Sequence, residues 1–190
     1  MLKWHAAMKQ RIYQLLTEPE KSWRLIKSES TTPIQLLKGY AAPLALVPII
    51  SSAIKLLLVR GHSFNWSFLF DLAMTGLANY VLLLAALLFS GWIVSLLAPY
   101  FGSKGDLLAA HKTVVYSVTP VWLASIFQLV PRLSGLSLLG FYGAFLLYTA
   151  LPVMLETPAD RQTGFAAAII MFALGVMMFL SIGGAGALYL

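Results

Sequence analysis

Residues 72–98 form an unbroken stretch of about 27 residues without a charged side chain. An α-helix needs about 20 apolar residues to cross about 30 Å of hydrocarbon, and no soluble core helix needs an uncharged run this long. Similar runs recur at 113–130, 133–155 and 162–190, with a shorter one between Lys38 and Lys55. Together they predict an all-α, polytopic transmembrane helical bundle. Composition agrees: of 190 residues 59% are hydrophobic and 11% charged, with a mean hydropathy of +0.82, whereas soluble domains carry about 25% charged residues. The first apolar run begins about 35 residues in, too late for a cleaved signal, so the first span is expected to act as an uncleaved insertion signal.

The runs divide the chain into a basic segment, 1–32, and a five-span domain, 33–190. In the segment, Trp4, Met8, Ile12, Leu15 and Leu16 follow helical spacing, while Lys3, Lys9 and Arg11 fall mostly elsewhere on the wheel. That pattern predicts a short amphipathic helix lying in the membrane interface. Thr17-Glu18-Pro19-Glu20 has the form of a capping box and predicts a second short helix carrying Trp23 and Ile26. Thr32-Pro33-Ile34-Gln35 repeats the form at the start of span one, 33–59. Pro43 and Pro48 predict a kink or unwound stretch there, and Lys38 and Lys55 are expected to snorkel to the headgroups. Beyond an aromatic loop, 60–70, Asp71 is the expected cap of span two. Asp106 is expected to cap span three near Leu107, which sets His111 and Lys112 at the membrane surface. Pro131-Arg132 turns into span four, and 156–161 leads into span five.

Five spans put the termini on opposite sides. With the N-terminus cytoplasmic, the inside holds Lys3, Lys9, Arg11, Lys21, Arg24, Lys27, Lys38, Lys104, Lys112 and Arg161, and the outside only Lys55, Arg60 and Arg132. This asymmetry predicts an internal N-terminus and an external C-terminus. The net charge of +6, concentrated beside hydrophobic spans, points to anionic lipid headgroups rather than nucleic acid.

The chain has no cysteine, which removes disulfides, thiolate catalysis and cysteine metal sites. Coupled transporters usually place a carboxylate, histidine or lysine near the midplane. Here Asp71, Asp106, Glu156 and Asp160 fall at span ends or in loops. There is no HExxH and no in-span aspartate pair; Gly135-Leu136-Ser137 has no histidine after it, and His5, His62 and His111 are widely separated. An enzyme, a metal and a cofactor are therefore not expected. The in-span polar residues (Asn79, Gln128, Ser51, Ser52, Ser90, Ser95, Ser117 and Thr119) suit helix–helix hydrogen bonds. Pro120 has no N–H for the Tyr116 carbonyl, which predicts a bend at which Ser117, Thr119 or a neighbouring helix satisfies that carbonyl. Small residues four apart (Gly140 and Ala144, Gly164 and Ala168, Ser181 and Ala185), with Gly175, Gly183, Gly184 and Gly186, predict close helix packing. The same spacing also suits a second copy or a partner membrane protein.

Three segments carry a family resemblance. Pro19-Glu20-Lys21-Ser22-Trp23-Arg24-Leu25-Ile26-Lys27-Ser28-Glu29 is similar to the juxtamembrane P-x-x-x-W-x-x-I-x-x-E segment of the bacterial branch of the Ypt/Rab-interacting proteins, the Yip-domain membrane proteins. Tyr116-Ser117-Val118-Thr119-Pro120 resembles the proline-bearing third span of that family. The run from Tyr142 to Pro152, with Tyr148 and Leu151-Pro152, resembles its Y-x-x-Y-L-L-Y-x-G-L-P, with Ala150 where glycine is frequent. The resemblance implies a five-span α-helical domain with a cytoplasmic N-terminus. Eukaryotic relatives associate with prenylated small GTPases and with one another, through chains that carry an Asp-Leu-Tyr-Gly-Pro motif not found here.

The expected function is that of a non-enzymatic organiser or adaptor in a bacterial inner membrane, acting through helix–helix and lipid contacts. Trp23, Lys112, Tyr116, Pro120, Tyr148 and Pro152 are the candidate family residues, and Lys9, Arg11 and Arg24 the candidate headgroup contacts. The alternative is a small transporter, channel or lipid-moving protein with a crevice beside Pro43, Pro48 and Pro120.

Overall fold

The computed structural model describes residues 2–60 and 65–189, with side chains for 8–58 and 65–179. His62 and the side chains of His5 and of residues 181–186 lie outside that set. Among the described residues every regular element is helical. Two short helices, α1 (Leu2–Thr17) and α2 (Pro19–Ser28), precede the bundle. The expected Thr17 capping box does not form: the Thr17 hydroxyl donates back to Tyr13 O at 2.8 Å, and Glu18, with no side-chain cap bond, stands before Pro19. The hydroxyl finds an acceptor within its own helix, and proline at the first position of α2 needs no donor satisfied.

The box at Thr32 forms in full, with Gln35 N donating to Thr32 Oγ1 at 3.2 Å and Thr32 N to Gln35 Oε1 at 3.0 Å. It starts α3 (Pro33–Leu36), which passes through a π turn (Leu37–Ala41) into α4 (Ala42–Arg60). The π turn directly precedes Pro43, so the proline sits where the helical bonding has already loosened. Next, α5 (Trp66–Leu97) runs on through a 3₁₀ turn (Ala98–Phe101). Its cap is Asn65, whose Oδ1 accepts from Phe68 N at 2.8 Å, and not Asp71, which lies exposed in the second turn. The extended Asn65 supplies the cap earlier, and the loop is shorter than 60–70.

Asp106 caps α6 (Leu107–Ser117), accepting from Leu108 N and Ala109 N at 2.9 and 3.2 Å. The helix breaks at Val118, resumes as α7 (Thr119–Ala124) with Pro120 in its first turn, and tightens into a 3₁₀ stretch (Ser125–Leu129). A second 3₁₀ stretch (Pro131–Phe141) leads into α8 (Tyr142–Met154), and α9 (Ala159–Tyr189) completes the described chain. Among the described residues four helices are long and apolar enough to cross a bilayer: Pro33–Leu58, Trp66–Phe101, Pro131–Met154 and Ala159–Phe179. The expected third span is the one that Pro120 interrupts.

The buried apolar side chains gather at one end of the bundle. They include Leu36, Ala41 and Leu44 of the first helix, Leu87, Val94 and Ala98 of the second, Ala110 and Val115 of α6, Leu146, Leu151 and Leu155 of α8, and Phe165 and Ile169 of α9. Glycine makes the tightest crossings possible there. A Cβ at Gly143 would stand 2.6 Å from Ser117 O, and one at Gly91 would stand 2.7 Å from the His111 ring. Gly140 packs on Val121 and Gly164 near Phe101, so these two predicted small positions serve contacts within the chain, while Gly175 faces open space.

Gly143→Ala should therefore push α8 off α6 and lower stability by about 1–3 kcal/mol. Gly175→Ala should be neutral or raise stability by up to about 1 kcal/mol through helix propensity. Thermal unfolding in one detergent distinguishes the two.

Candidate functional site

Helix α2 is amphipathic, with Ser22, Trp23 and Ile26 on one face and Lys21, Arg24 and Lys27 on the other. An isolated helix of this kind would lay that face in the membrane interface. Instead it seats on the bundle, and Trp23 is 0% exposed. A tryptophan stabilises such a seat only if its N–H finds an acceptor; Trp23 Nε1 donates to Thr149 Oγ1 of α8 at 3.2 Å. Its ring meets Tyr116 of α6 edge-on at 6.3 Å, and Tyr116 leans on Tyr40 of the π turn at 4.5 Å. The Tyr40 hydroxyl pairs with Thr119 Oγ1 at 2.9 Å. Thr119 thus turns to Tyr40 and not to the Tyr116 carbonyl, and the Ser117 hydroxyl has no partner among the described residues.

Lys112 was expected at the membrane surface among headgroups. The structure buries it to 3% exposure, with Nζ donating to Ile26 O at 2.7 Å and Glu29 O at 2.6 Å. The last carbonyls of α2 have no partners within the helix and carry its negative dipole end, so an ammonium is the complement they need. The Glu29 carboxylate is taken by Arg11, which corrects the expectation that Arg11 faces lipid. Farther out, Tyr142 Oη donates to Leu16 O at 3.0 Å.

A second tie lies between α8 and α9. Glu156 sits at φ +53, a left-handed conformation that a branched or bulky side chain rarely holds. Its carboxylate accepts from Lys27 of α2 at 2.9 Å and from Lys104 of the α5–α6 connection at 2.6 Å. Hydrogen bonds from Lys104 and then Lys27 hold the Glu156 carboxyl down at about 2. The backbone beside it is pinned as well: Lys104 N donates to Leu155 O at 2.8 Å and Ser103 Oγ to Thr157 Oγ1 at 2.8 Å.

Of the sequence candidates, Trp23, Lys112 and Tyr116 meet at one seat, and Pro120 breaks the helix so that Thr119 reaches Tyr40. Tyr148 and Pro152 stand apart on the outer face of α8, where the Tyr148 carbonyl accepts from Gln162 Nε2 at 2.9 Å. Lys9 and Arg24 are exposed, Arg24 within 3.7 Å of Glu20. Sequence reasoning missed Tyr40, Thr149 and the bridging role of Glu156. Glu29 lay within the family-like segment, but its pairing with Arg11 had no local signal. Among the described residues no group of three or more metal-capable side chains gathers.

The sequence profile of the Yip1 domain matches residues 13–182, from the middle of α1 through most of α9. Neither a curated protein nor a solved structure matches the chain.

Lys112→Met would leave two carbonyls without donors. Charge-assisted bonds contribute about 1.5–3 kcal/mol each, so a loss of about 3 kcal/mol is expected, read as a lower melting point and faster proteolysis near residues 29–32. The Glu156 tie has a defined pH window. A carboxyl whose value falls from 4.5 to about 2 on folding stabilises the fold fully above 4.5, and that contribution disappears as pH drops toward 2. Between those limits, Glu156→Gln should abolish the pH-dependent part of α2 protection that this carboxyl supplies, and leave protection near neutral pH weaker and flat.

Proposed function

We propose, on the premise that this chain belongs to the Yip1-domain family and is a multi-pass membrane protein, that it is a five-span organiser of membrane components. The reading places it in a bacterial inner membrane with its N-terminus in the cytoplasm. The fifth crossing would be the interrupted run through α6, α7 and the following 3₁₀ stretch. Its support is the Lys27–Glu156–Lys104 tie, which gathers α2, the α5–α6 connection and the α8–α9 connection at one end. Those three share a side only if the chain crosses an even number of times between them: twice from α2 to the α5–α6 connection, and twice more to the α8–α9 connection. The basic residues crowd the same end, which by the positive-inside rule is the cytoplasmic one.

The observation that carries the organiser reading is how the chain uses its strongest polar groups. Lys112, Trp23, Tyr40 and Thr119 all bond other parts of the same chain: the first two join α2, which with α1 forms an N-terminal strap, to the bundle, and the last two join the π turn to α7. The surface left to partners is the outer face of α1 and α2, where Lys9, Tyr13, Lys21 and Arg24 are exposed. That face suits anionic headgroups, while the apolar flanks of the bundle suit a second copy or a partner membrane protein. The reading involves no chemical reaction, cofactor or nucleic acid. The transporter reading, with its crevice beside Pro43, Pro48 and Pro120, ranks second, because the Tyr40–Thr119 bond ties the π turn before Pro43 to the residue before Pro120.

Crosslinking and co-purification from the native membrane tests the organiser reading. A stoichiometric membrane partner, or a second copy, is the expected outcome. Substrate flux in proteoliposomes that Tyr116→Ala abolishes would overturn it. In nanodiscs, neutralising Lys9, Lys21 and Arg24 together should reduce preference for anionic lipid, whereas Arg11→Gln should loosen α1 from Glu29 and leave lipid preference unchanged.

A further inference from the structure

The helices are too long for the bilayer. The second spans 36 residues, Trp66–Phe101, about 54 Å at about 1.5 Å per residue, against about 30 Å of hydrocarbon. Tilt alone would have to reach about 55°, beyond the roughly 0–40° that spanning helices adopt. Helix α9, at 31 residues, is about 46 Å long. Some part of these helices stands outside the hydrocarbon, and the exposed side chains indicate which part.

On the first helix the exposed residues change from Ile34, Gln35 and Lys38 to the mainly apolar set Leu46, Ile50, Ile54 and Leu58, with Ser52 and Lys55 the exposed polar residues toward the far end. On α9 they change from Asp160, Arg161 and Thr163 to Met171, Leu174, Met178 and Phe179. Along α5, Trp66 (87% exposed) and Trp92 (48%) mark the two limits; 26 residues apart, they are about 39 Å from each other, close to the separation of two interfacial aromatic belts. Side-chain pairs bring the helices into one register. Phe89 of α5 meets Phe172 of α9 at 6.0 Å, and Phe101 stacks on Phe165 at 4.8 Å. Helix α2 lies alongside α8, with Leu16 at Tyr142, Trp23 at Thr149 and Lys27 at Glu156. The exposed, charged turn Glu18-Pro19-Glu20-Lys21 is therefore level with Tyr142, about 18 Å from the near end of α8. Lys21 pairs with Glu18 and Arg24 with Glu20, but these side chains are otherwise exposed, and charges so exposed at that depth in hydrocarbon would be strongly disfavoured.

We infer that the bilayer covers only the part of the helices far from the Lys27–Glu156–Lys104 tie, and that their ends on the side of that tie form a headpiece standing about 18 Å clear of the hydrocarbon. The boundary runs near Phe89, Tyr142 and Phe172. Helix α2 packs against the side of this headpiece, and the turn between α1 and α2 rests on the lipid surface, where Lys21 and Arg24 meet phosphate-bearing headgroups. The inference rests on the multi-pass reading and goes beyond it. The last part of the uncharged run that marks α5 as a span, from Phe89 on, is on this view a protein core, with Gly91, Val94, Ser95 and Ala98 buried by neighbouring helices.

The chain has no cysteine, so single substitutions report alone. Leu96→Cys, Phe145→Cys and Thr163→Cys place the probe at exposed headpiece positions, and Leu77→Cys, Leu138→Cys and Leu174→Cys at exposed membrane positions. In proteoliposomes of anionic and zwitterionic phospholipid, a membrane-impermeant maleimide with access to both faces should label the first three fully and the last three not at all. Equal protection of all six would put the boundary at the helix ends and overturn the headpiece while leaving the multi-pass reading intact. Full labelling of all six in intact bilayers would instead overturn the multi-pass reading. A spin label on the same cysteines gives a second measurement: accessibility to a water-soluble relaxant should be high at 96, 145 and 163 and lost at 77, 138 and 174, and the reverse order also overturns the headpiece.

Discussion

A buried ammonium must have acceptors, and Lys112 has them only because α2 ends above it. Its partners are the carbonyls of Ile26 and Glu29, main-chain groups that α2 itself leaves unsatisfied. The Glu29 carboxylate is held by Arg11, so the Lys112 contact depends on where the helix stops and not on a side-chain charge pair. The contact ties residues more than 80 positions apart in sequence. With the end of α2 fixed, Trp23 is aligned with Thr149 and Tyr116, and the capped start of the first long helix at Thr32 follows within a few residues. The arrangement also explains why a lysine on an otherwise apolar helix is tolerated: its desolvation is offset by two short hydrogen bonds and a helix dipole.

The same contact decides which way the amphipathic strap faces. An isolated basic helix with one apolar face would lie on lipid. Fully burying residues such as Trp23, Ile26 and Leu15 gives about 1.5–3 kcal/mol each whether the cover is lipid or protein, so apolar area alone does not choose. The specific partners do: the Trp23 indole and the α2 carbonyls meet donors and acceptors in the bundle that acyl chains lack. Polar complementarity, which distinguishes protein from lipid where burial does not, is what turns the apolar face inward.

Much of the helical framework was legible because its signals are local. The Thr32 box, the Asp106 cap and the break before Pro120 each depend on side chains within four residues of the backbone groups they satisfy. The misreadings at Thr17 and Asp71 were local competitions. Thr17 has an acceptor inside α1, and Asn65 reaches an extended capping conformation before Asp71 does. The seat itself was illegible for a different reason. Charge counting assigns every lysine near a span end to the headgroups, and nothing near Lys112 signals that two carbonyls from the N-terminal segment will cover it. Tyr40 and Thr149 carry no pattern at all; their roles exist only once α2, α6 and α8 are in register.

The uncharged run from 72 to 98 shows a deeper limit of hydropathy. Lipid and protein core both exclude charge, so a sequence scale reports their sum and cannot divide it. What divides it is the companion surface. Before Phe89 the outer face of α5 presents Met74, Leu77 and Val81, about half exposed among the described residues; beyond Phe89 the opposite face presents Gly91, Val94, Ser95 and Ala98, which α6 and the start of α9 enclose. Small residues belong in the second half because a close helix crossing, such as His111 against Gly91, removes water as lipid does in the first. A single apolar helix can therefore be membrane span and protein core in succession, and the transition is encoded less in its own hydropathy than in the size of its side chains and the charges of the strap beside it.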